Sequence, residues 1–191
     1  MITGCKIVVI GGSAGSLEVL LKILPRLKET SSFSIVIVLH RKSAEDTILE
    51  DLIKVKAAIP LKEVEDKAEI VEGCIYVAPS DYHLLFEKDG SLSLDTSEKI
   101  NYSRPSIDVS FESAADIYGP SLIGILLSGA NADGTDGLSV IKDNGGTTVV
   151  QDPKTAEMPF MPQSAIDAAV ADFVLDTKGL IKFIQEINKE S

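Results

Sequence analysis

The sequence predicts an α/β protein with a doubly wound, mostly parallel sheet flanked by helices and carrying an inserted β-hairpin. Three observations carry this reading. Short β-branched apolar runs recur along the chain, stretches with helical spacing separate them, and between residues 82 and 95 the period switches to two. A chain of 191 residues with 45% hydrophobic content can bury one substantial core, so residues 1–191 are expected to form a single domain.

Residues 6–10 are a continuous β-branched run ending in Gly11 and Gly12, as expected of a strand covered on both faces. Leu17, Leu20, Leu21, Leu24 and Leu27 then recur at helical spacing until Pro25 and the polar stretch 28–32 end the helix. Residues 34–39 give the second buried strand. A crossover of this length makes a βαβ unit, whose right-handedness brings both strand ends to one edge. The alternation continues with a helix over 44–58, a strand at 74–78, a helix over 106–118, a strand at 122–127, a helix over 136–143, a strand at 147–151 and two short final elements. Around Lys88-Asp89-Gly90 the alternation reads as a hairpin inserted into or beside the sheet. Pro153, Pro159 and Pro162 bracket an expected loop of about ten residues before the next helix, a length that often marks function.

Composition excludes several classes. The net charge of −11, with no Lys/Arg cluster interleaved with aromatics, opposes binding to nucleic acid. The longest apolar run, 122–127 with its flanks, is far short of the roughly 20 residues that span a bilayer, so no membrane insertion is expected. Residues 1–10 carry one lysine and lead straight into a strand, unlike a secretory signal, which makes a cytoplasmic protein the expectation. Cys5 and Cys74 have no metal-ligand spacing and read as reduced core or strand-edge thiols, with no metal centre.

Gly11-Gly12-Ser13-Ala14-Gly15 has the form G-x-S-x-G between a strand and a helix. Small residues permit a sharp turn that lifts the Ser13 hydroxyl above the sheet, and the helix N-terminus offers free amides to a developing oxyanion. A phosphate-binding loop would use the same turn and the same helix end. Against that alternative, Ser13 stands where the dinucleotide fingerprint needs its second glycine, and the Gly-Lys-Ser/Thr of a P-loop is missing, so no cofactor is expected. Two histidines compete for the role of base. His40 ends the second strand, and His83 follows the 74–78 strand closely enough to share its edge. Gly129-Ala130-Asn131-Ala132-Asp133-Gly134 follows another strand; Asp133 can accept the Nδ1 proton of a histidine and leave Nε2 for the serine, or simply form an Asp-Gly turn ahead of the next helix.

Taken in order, Ile10-Gly11-Gly12-Ser13-Ala14-Gly15, Leu39-His40, Tyr76-Val77-Ala78-Pro79-Ser80-Asp81-Tyr82-His83, Arg104-Pro105-Ser106-Ile107-Asp108, Ser128-Gly129-Ala130-Asn131-Ala132-Asp133-Gly134 and Met161-Pro162 resemble the catalytic domain of the chemotaxis protein-glutamate methylesterases, the CheB family, over essentially the whole chain. The resemblance implies a triad of Ser13, His40 and Asp133, with His83 a motif residue near the site. It also implies substrate or oxyanion contacts from Ala14, Gly129, Ala130 and Met161. The implied partners are cytoplasmic helices of methyl-accepting chemoreceptors, whose glutamate methyl esters would be cleaved and whose glutamines some members deamidate. Ala14, Ala130 and Ser103 depart from the commoner threonine, methionine and histidine of the family pattern. Family members typically carry a phosphorylatable receiver domain ahead of this one. Here the first strand begins at Lys6, so the expectation, unless the sequence is a fragment of a longer protein, is an open, constitutively active site with control left to receptor availability or to a separate partner protein. A nucleotide- or phosphate-binding module and an inactive receptor-binding scaffold are the competing readings.

Overall fold

A computed structural model describes residues 4–27, 32–40 and 48–187. The chain opens with β1 (Ile7–Gly12), α1 (Ser16–Ile23), β2 (Ser34–Leu39) and α2 (Ile48–Lys56), followed by three short strands, β3 (Leu61–Lys62), β4 (Ala68–Glu69) and β5 (Ile75–Val77). Next come β6 (His83–Phe86), β7 (Ser91–Asp95), α3 (Ile107–Tyr118), β8 (Leu122–Leu126), α4 (Thr135–Asp143) and β9 (Thr147–Gln151). The chain closes with α5 (Phe160–Asp167), β10 (Phe173–Leu175) and α6 (Thr177–Ile187).

Seven strands form one parallel sheet in the order β10-β9-β8-β1-β2-β5-β3. Its central strands are buried on both faces, which is why they read as unbroken apolar runs rather than alternating ones. Within β1 the period of two still divides the core. Val8 and Ile10 pack with α1, α2 and α6, whereas Ile7 and Val9 pack with α3, α4 and α5. The hairpin lies outside the main sheet: β6 and β7 join β4 in a separate antiparallel sheet, and Leu84, Phe86 and Leu92 pack on the same apolar cluster as Phe111 and Ala114 of α3.

The chain moves outward from β1 through β2 and β5, then returns to the other side of β1 for β8, β9 and β10. That reversal creates a crevice beyond the carboxyl ends of β1, β2 and β8, where ligands bind in open α/β sheets. Several expected boundaries shift. The first strand runs on through Gly12, and α1 stops at Ile23 because Pro25 lies in a 3₁₀ turn over Leu24–Arg26. Of the polar stretch 28–32, residues 28–31 lie outside the described residues, as do residues 44–47 of the expected second helix, which ends at Lys56 rather than 58. The expected loop between the prolines is shorter: Pro153–Thr155 is a 3₁₀ turn and α5 already begins at Phe160, with Pro162 tolerated in its first turn. Three elements, not two, follow β9. Cys5 and Cys74 are both free and buried, and burial pushes the Cys5 thiol up to about 12. Among the described residues no helix is long and apolar enough to cross a membrane.

Candidate active site

The loop after β1 is held by a compact set of bonds. The Ser13 amide donates to the Ser128 carbonyl at 2.8 Å and to Ser16 Oγ at 3.0 Å, and Ser16 Oγ donates to the Ser128 carbonyl at 2.7 Å. Ser128, just past β8, donates its own hydroxyl to the Ala14 carbonyl at 2.7 Å, so the β1 and β8 loops are tied together. Gly15 starts α1 with φ of 83° and Gly134 starts α4 with φ of 93°, backbone that favours glycine and permits each abrupt turn from strand to helix. Ser13 is left half-buried, and among the described residues its hydroxyl makes no hydrogen bond within the protein.

His40 leaves β2 with its amide donating to the Gly12 carbonyl at 3.2 Å. Its Nε2 meets Asp133 Oδ2 at 2.7 Å, with the His40 side chain 14% exposed and that of Asp133 fully buried. The pairing reverses the expected ring assignment, in which Nδ1 faced Asp133. Asp133 lies in the loop after β8, which brings its carboxylate within reach of the distal nitrogen of the His40 ring. Nδ1 is then the nitrogen left to take a proton.

Asp133 sits at the N-terminus of α3. Its Oδ1 accepts from Ser106 Oγ at 3.0 Å and the Asp108 amide at 3.0 Å, and its Oδ2 also accepts from the Ile107 amide at 2.8 Å. Burial alone would raise its pKa. The bonds from His40 and from the Asp108 and Ile107 amides outweigh burial and hold it below the usual carboxylate range. Asp133 therefore does more than form an Asp-Gly turn: helix N-terminal amides keep it an anion while it is sealed from water.

His83 is placed otherwise. It is completely buried, its Nδ1 accepts the Ser106 amide at 3.1 Å, and its Nε2 lies 3.0 Å from the Glu98 carbonyl. Both ring nitrogens are occupied, which removes it as the base. Gly129 and Met161, both expected at the substrate or oxyanion, are bonded to each other. The Gly129 amide donates to the Met158 carbonyl at 3.0 Å, and fully buried Met161 gives its amide to the Gly129 carbonyl at 2.9 Å while its side chain packs on Gly129. Both are buried, and the pair braces the loop that carries Asp133. Ala14 and Ala130 are exposed, and their amides have no hydrogen-bond partner among the described residues.

Ser13, Ala14 and His40 line one wall of an open cleft of about 850 Å³. Lys99, Tyr102, Ser103 and Arg104, on the segment between β7 and α3, form another. Two contributors escape a reading of the sequence. Ser106 looks only like the N-cap of α3, which it is, since its Oγ accepts from the Val109 amide at 3.5 Å. Asp108 looks like a favourable first-turn acid, yet its Oδ1 accepts the Gly134 and Gly137 amides at 2.8 Å each and so clamps the start of α4. Those partners are far away along the chain, and the sequence marked both residues only as members of the Arg104-Pro105-Ser106-Ile107-Asp108 motif, with no role attached.

The comparisons with known proteins bear on the family and the fold. Residues 8–184 match the protein-family model described as CheB methylesterase. A protein of Leptospira interrogans serovar copenhageni, provisionally named a protein-glutamate methylesterase/protein-glutamine glutaminase, is 46% identical over 188 residues, spanning 96% of this chain and 95% of its own length. The protein-glutamate methylesterase/protein-glutamine glutaminase of Thermotoga maritima is 38% identical over 173 residues, which cover 89% of this chain and 50% of that protein. The crystal structure of the Thermotoga maritima CheB methylesterase catalytic domain superposes with a TM-score of 0.91 at 35% identity, covering 96% of this chain and 98% of that one. With the fold, the matched residues and the relatives in agreement, the chain belongs to the CheB methylesterase family.

Proposed function

We propose that this chain hydrolyses the side-chain methyl ester of protein glutamate, releasing methanol, with Ser13 as nucleophile, His40 as general base and Asp133 as the group that orients His40. The observation that carries the reading is the 2.7 Å pair between His40 Nε2 and a buried, amide-stabilised Asp133, with His40 lining the same cleft as Ser13. A carboxylate on Nε2 selects the tautomer with the proton there, leaving Nδ1 basic. Ser13 Oγ attacks the ester carbonyl as its proton passes to Nδ1. The exposed amides of Ala14 and Ala130 are the donors proposed for the resulting oxyanion, and because they are backbone groups the departures at these two positions leave them in place. Collapse breaks the bond to methoxide, which takes the proton from His40 and leaves as methanol. Water then gives a proton to Nδ1 and attacks the acyl-serine; the proton returns to Ser13 as glutamate is released. A glutamine side chain would follow the same steps with ammonia as leaving group, the second activity in the relatives' names.

The proposed substrates are methylated glutamates on cytoplasmic helices of chemoreceptors. A phosphate-loop reading has less support, because the Ser13 amide is already bonded to Ser128 and Ser16 and is not free for a phosphate oxygen. The deciding experiment is methanol release from a methylated receptor fragment by the purified protein, with a Ser13→Ala control. Release that the control lacks supports the esterase; none from either protein leaves a binding scaffold.

A further inference from the structure

We infer that His83 and Ser106 are positioning residues that act through Asp133, an inference that rests on the triad reading above. The ring of His83 has a defined tautomer on geometric grounds. An amide can only donate, so the Ser106 N–H at 3.1 Å makes Nδ1 the acceptor; the Glu98 carbonyl can only accept, so the proton sits on Nε2 at 3.0 Å. The small antiparallel sheet, on which His83 lies in β6, thereby holds the backbone of Ser106 from behind.

Ser106 passes that constraint forward. Ionised Asp133 accepts only, so the Ser106 hydroxyl at 3.0 Å donates its proton to Oδ1, and the other oxygen, Oδ2, receives His40. One hydrogen-bonded line thus runs from the Glu98 carbonyl through His83, Ser106 and Asp133 to His40. Every link is buried or part-buried, where such bonds are stronger than in water. With the Asp108 amide on Oδ1 and the Ile107 amide on Oδ2, the Ser106 hydroxyl completes the set of donors that stops the Asp133 carboxylate turning about its last torsion, and that torsion decides where it places the His40 ring. Neither His83 nor Ser106 lines the cleft, so their effect should fall on turnover and not on substrate affinity.

The test is a double-mutant cycle on methanol release, with Ser106→Ala, Asp133→Asn and the pair together, each verified by thermal unfolding. Ser106→Ala is expected to lower kcat about 10- to 100-fold, the worth of a hydrogen bond to a charged group, with KM unchanged. In the Asp133→Asn background it should add little, because the carboxylate it orients is gone. His83→Asn, whose side-chain oxygen can still accept the Ser106 amide, should retain more activity than His83→Leu, which leaves that amide unpaired. Unchanged kcat for Ser106→Ala, or an equal loss in both backgrounds, overturns the inference alone. Wild-type kcat for Asp133→Asn would remove the triad reading and this inference with it.

Discussion

Ser13 separates function from stability, because its side chain is half-exposed at a turn and makes no bond that the fold needs. Ser13→Ala should therefore lose at least about 10³-fold in kcat while its Tm stays at the wild-type value, as in hydrolases whose triad acts as a unit. Near wild-type methanol release would remove the nucleophile assignment. Asp108 carries the opposite lesson. Burial, and to a lesser degree the Asp133 charge, raise its pKa from 3.8 to about 7 against the pull of the Gly137 amide. The native protein then keeps a proton that the unfolded chain has released, so this residue's contribution to stability is complete below about pH 4 and declines until about pH 7. Asp133, with a lowered pKa, contributes in the reverse sense, and its share is lost as the solution becomes acidic. Asp108→Asn keeps an oxygen for the Gly134 and Gly137 amides but cannot ionise. Its Tm should fall less than that of the wild type between pH 5 and pH 8, and parallel curves from calorimetry would contradict the role given to this carboxyl.

At the scale of elements, the site depends on how closely α3 and α4 approach each other. A Cβ on Gly137 would lie 2.6 Å from Phe111 Cβ and 3.0 Å from Asp108 Cα, so the two helices touch backbone to side chain with no room between them. Gly137→Ala should cost about 1–3 kcal/mol through overpacking, read as a lower midpoint in urea. Because the displaced helix also carries the amides that Asp108 clamps, kcat should fall in folded Gly137→Ala protein as well. A variant with unchanged stability would mean that the helices can separate at no cost. The small sheet belongs to the same argument. Its apolar residues pack on α3 and His83 of β6 takes the Ser106 amide, so the hairpin expected into or beside the main sheet is the support behind the N-terminus of that helix.

Across the whole molecule the charge is uneven. The chain carries −11, yet of the lysine, arginine and acidic residues lining the cleft two, Lys99 and Arg104, are cationic and one, Asp81, is anionic. Arg104 gives Nη1 to the Thr96 and Ser97 carbonyls at 2.7 Å each, which fixes the guanidinium without neutralising it. Focused positive potential in an acidic protein favours an acidic substrate segment. Lys99→Glu should raise KM several-fold for such a peptide at low ionic strength, and the difference should shrink near 1 M salt, where the screening length falls to about 3 Å. A ratio independent of salt would mean that Lys99 does not act through charge.

Local pattern was enough for most of the architecture: β2 and β9 begin and end where the residue pattern places them, since a strand covered on both faces must be apolar throughout. It also marked Ser13, the two histidines and Asp133 as candidates, because a strand-to-helix turn rich in glycine and a polar residue at a strand end are visible in a few consecutive residues; the triad of Ser13, His40 and Asp133 came only with the resemblance to the CheB family. Short strands such as β3 and β4 were not visible, since two residues carry no period. Nor was the choice between His40 and His83, which depends on burial and on which partners each ring nitrogen meets. The identity of the nitrogen facing Asp133 depends on how the His40 ring packs beside the loop after β8, and the roles of Ser106 and Asp108 depend on bonds that span 25 to 29 residues. Periodicity records what each residue needs from water and from its near neighbours; which distant group satisfies a hydrogen bond is a property of the packed sheet alone.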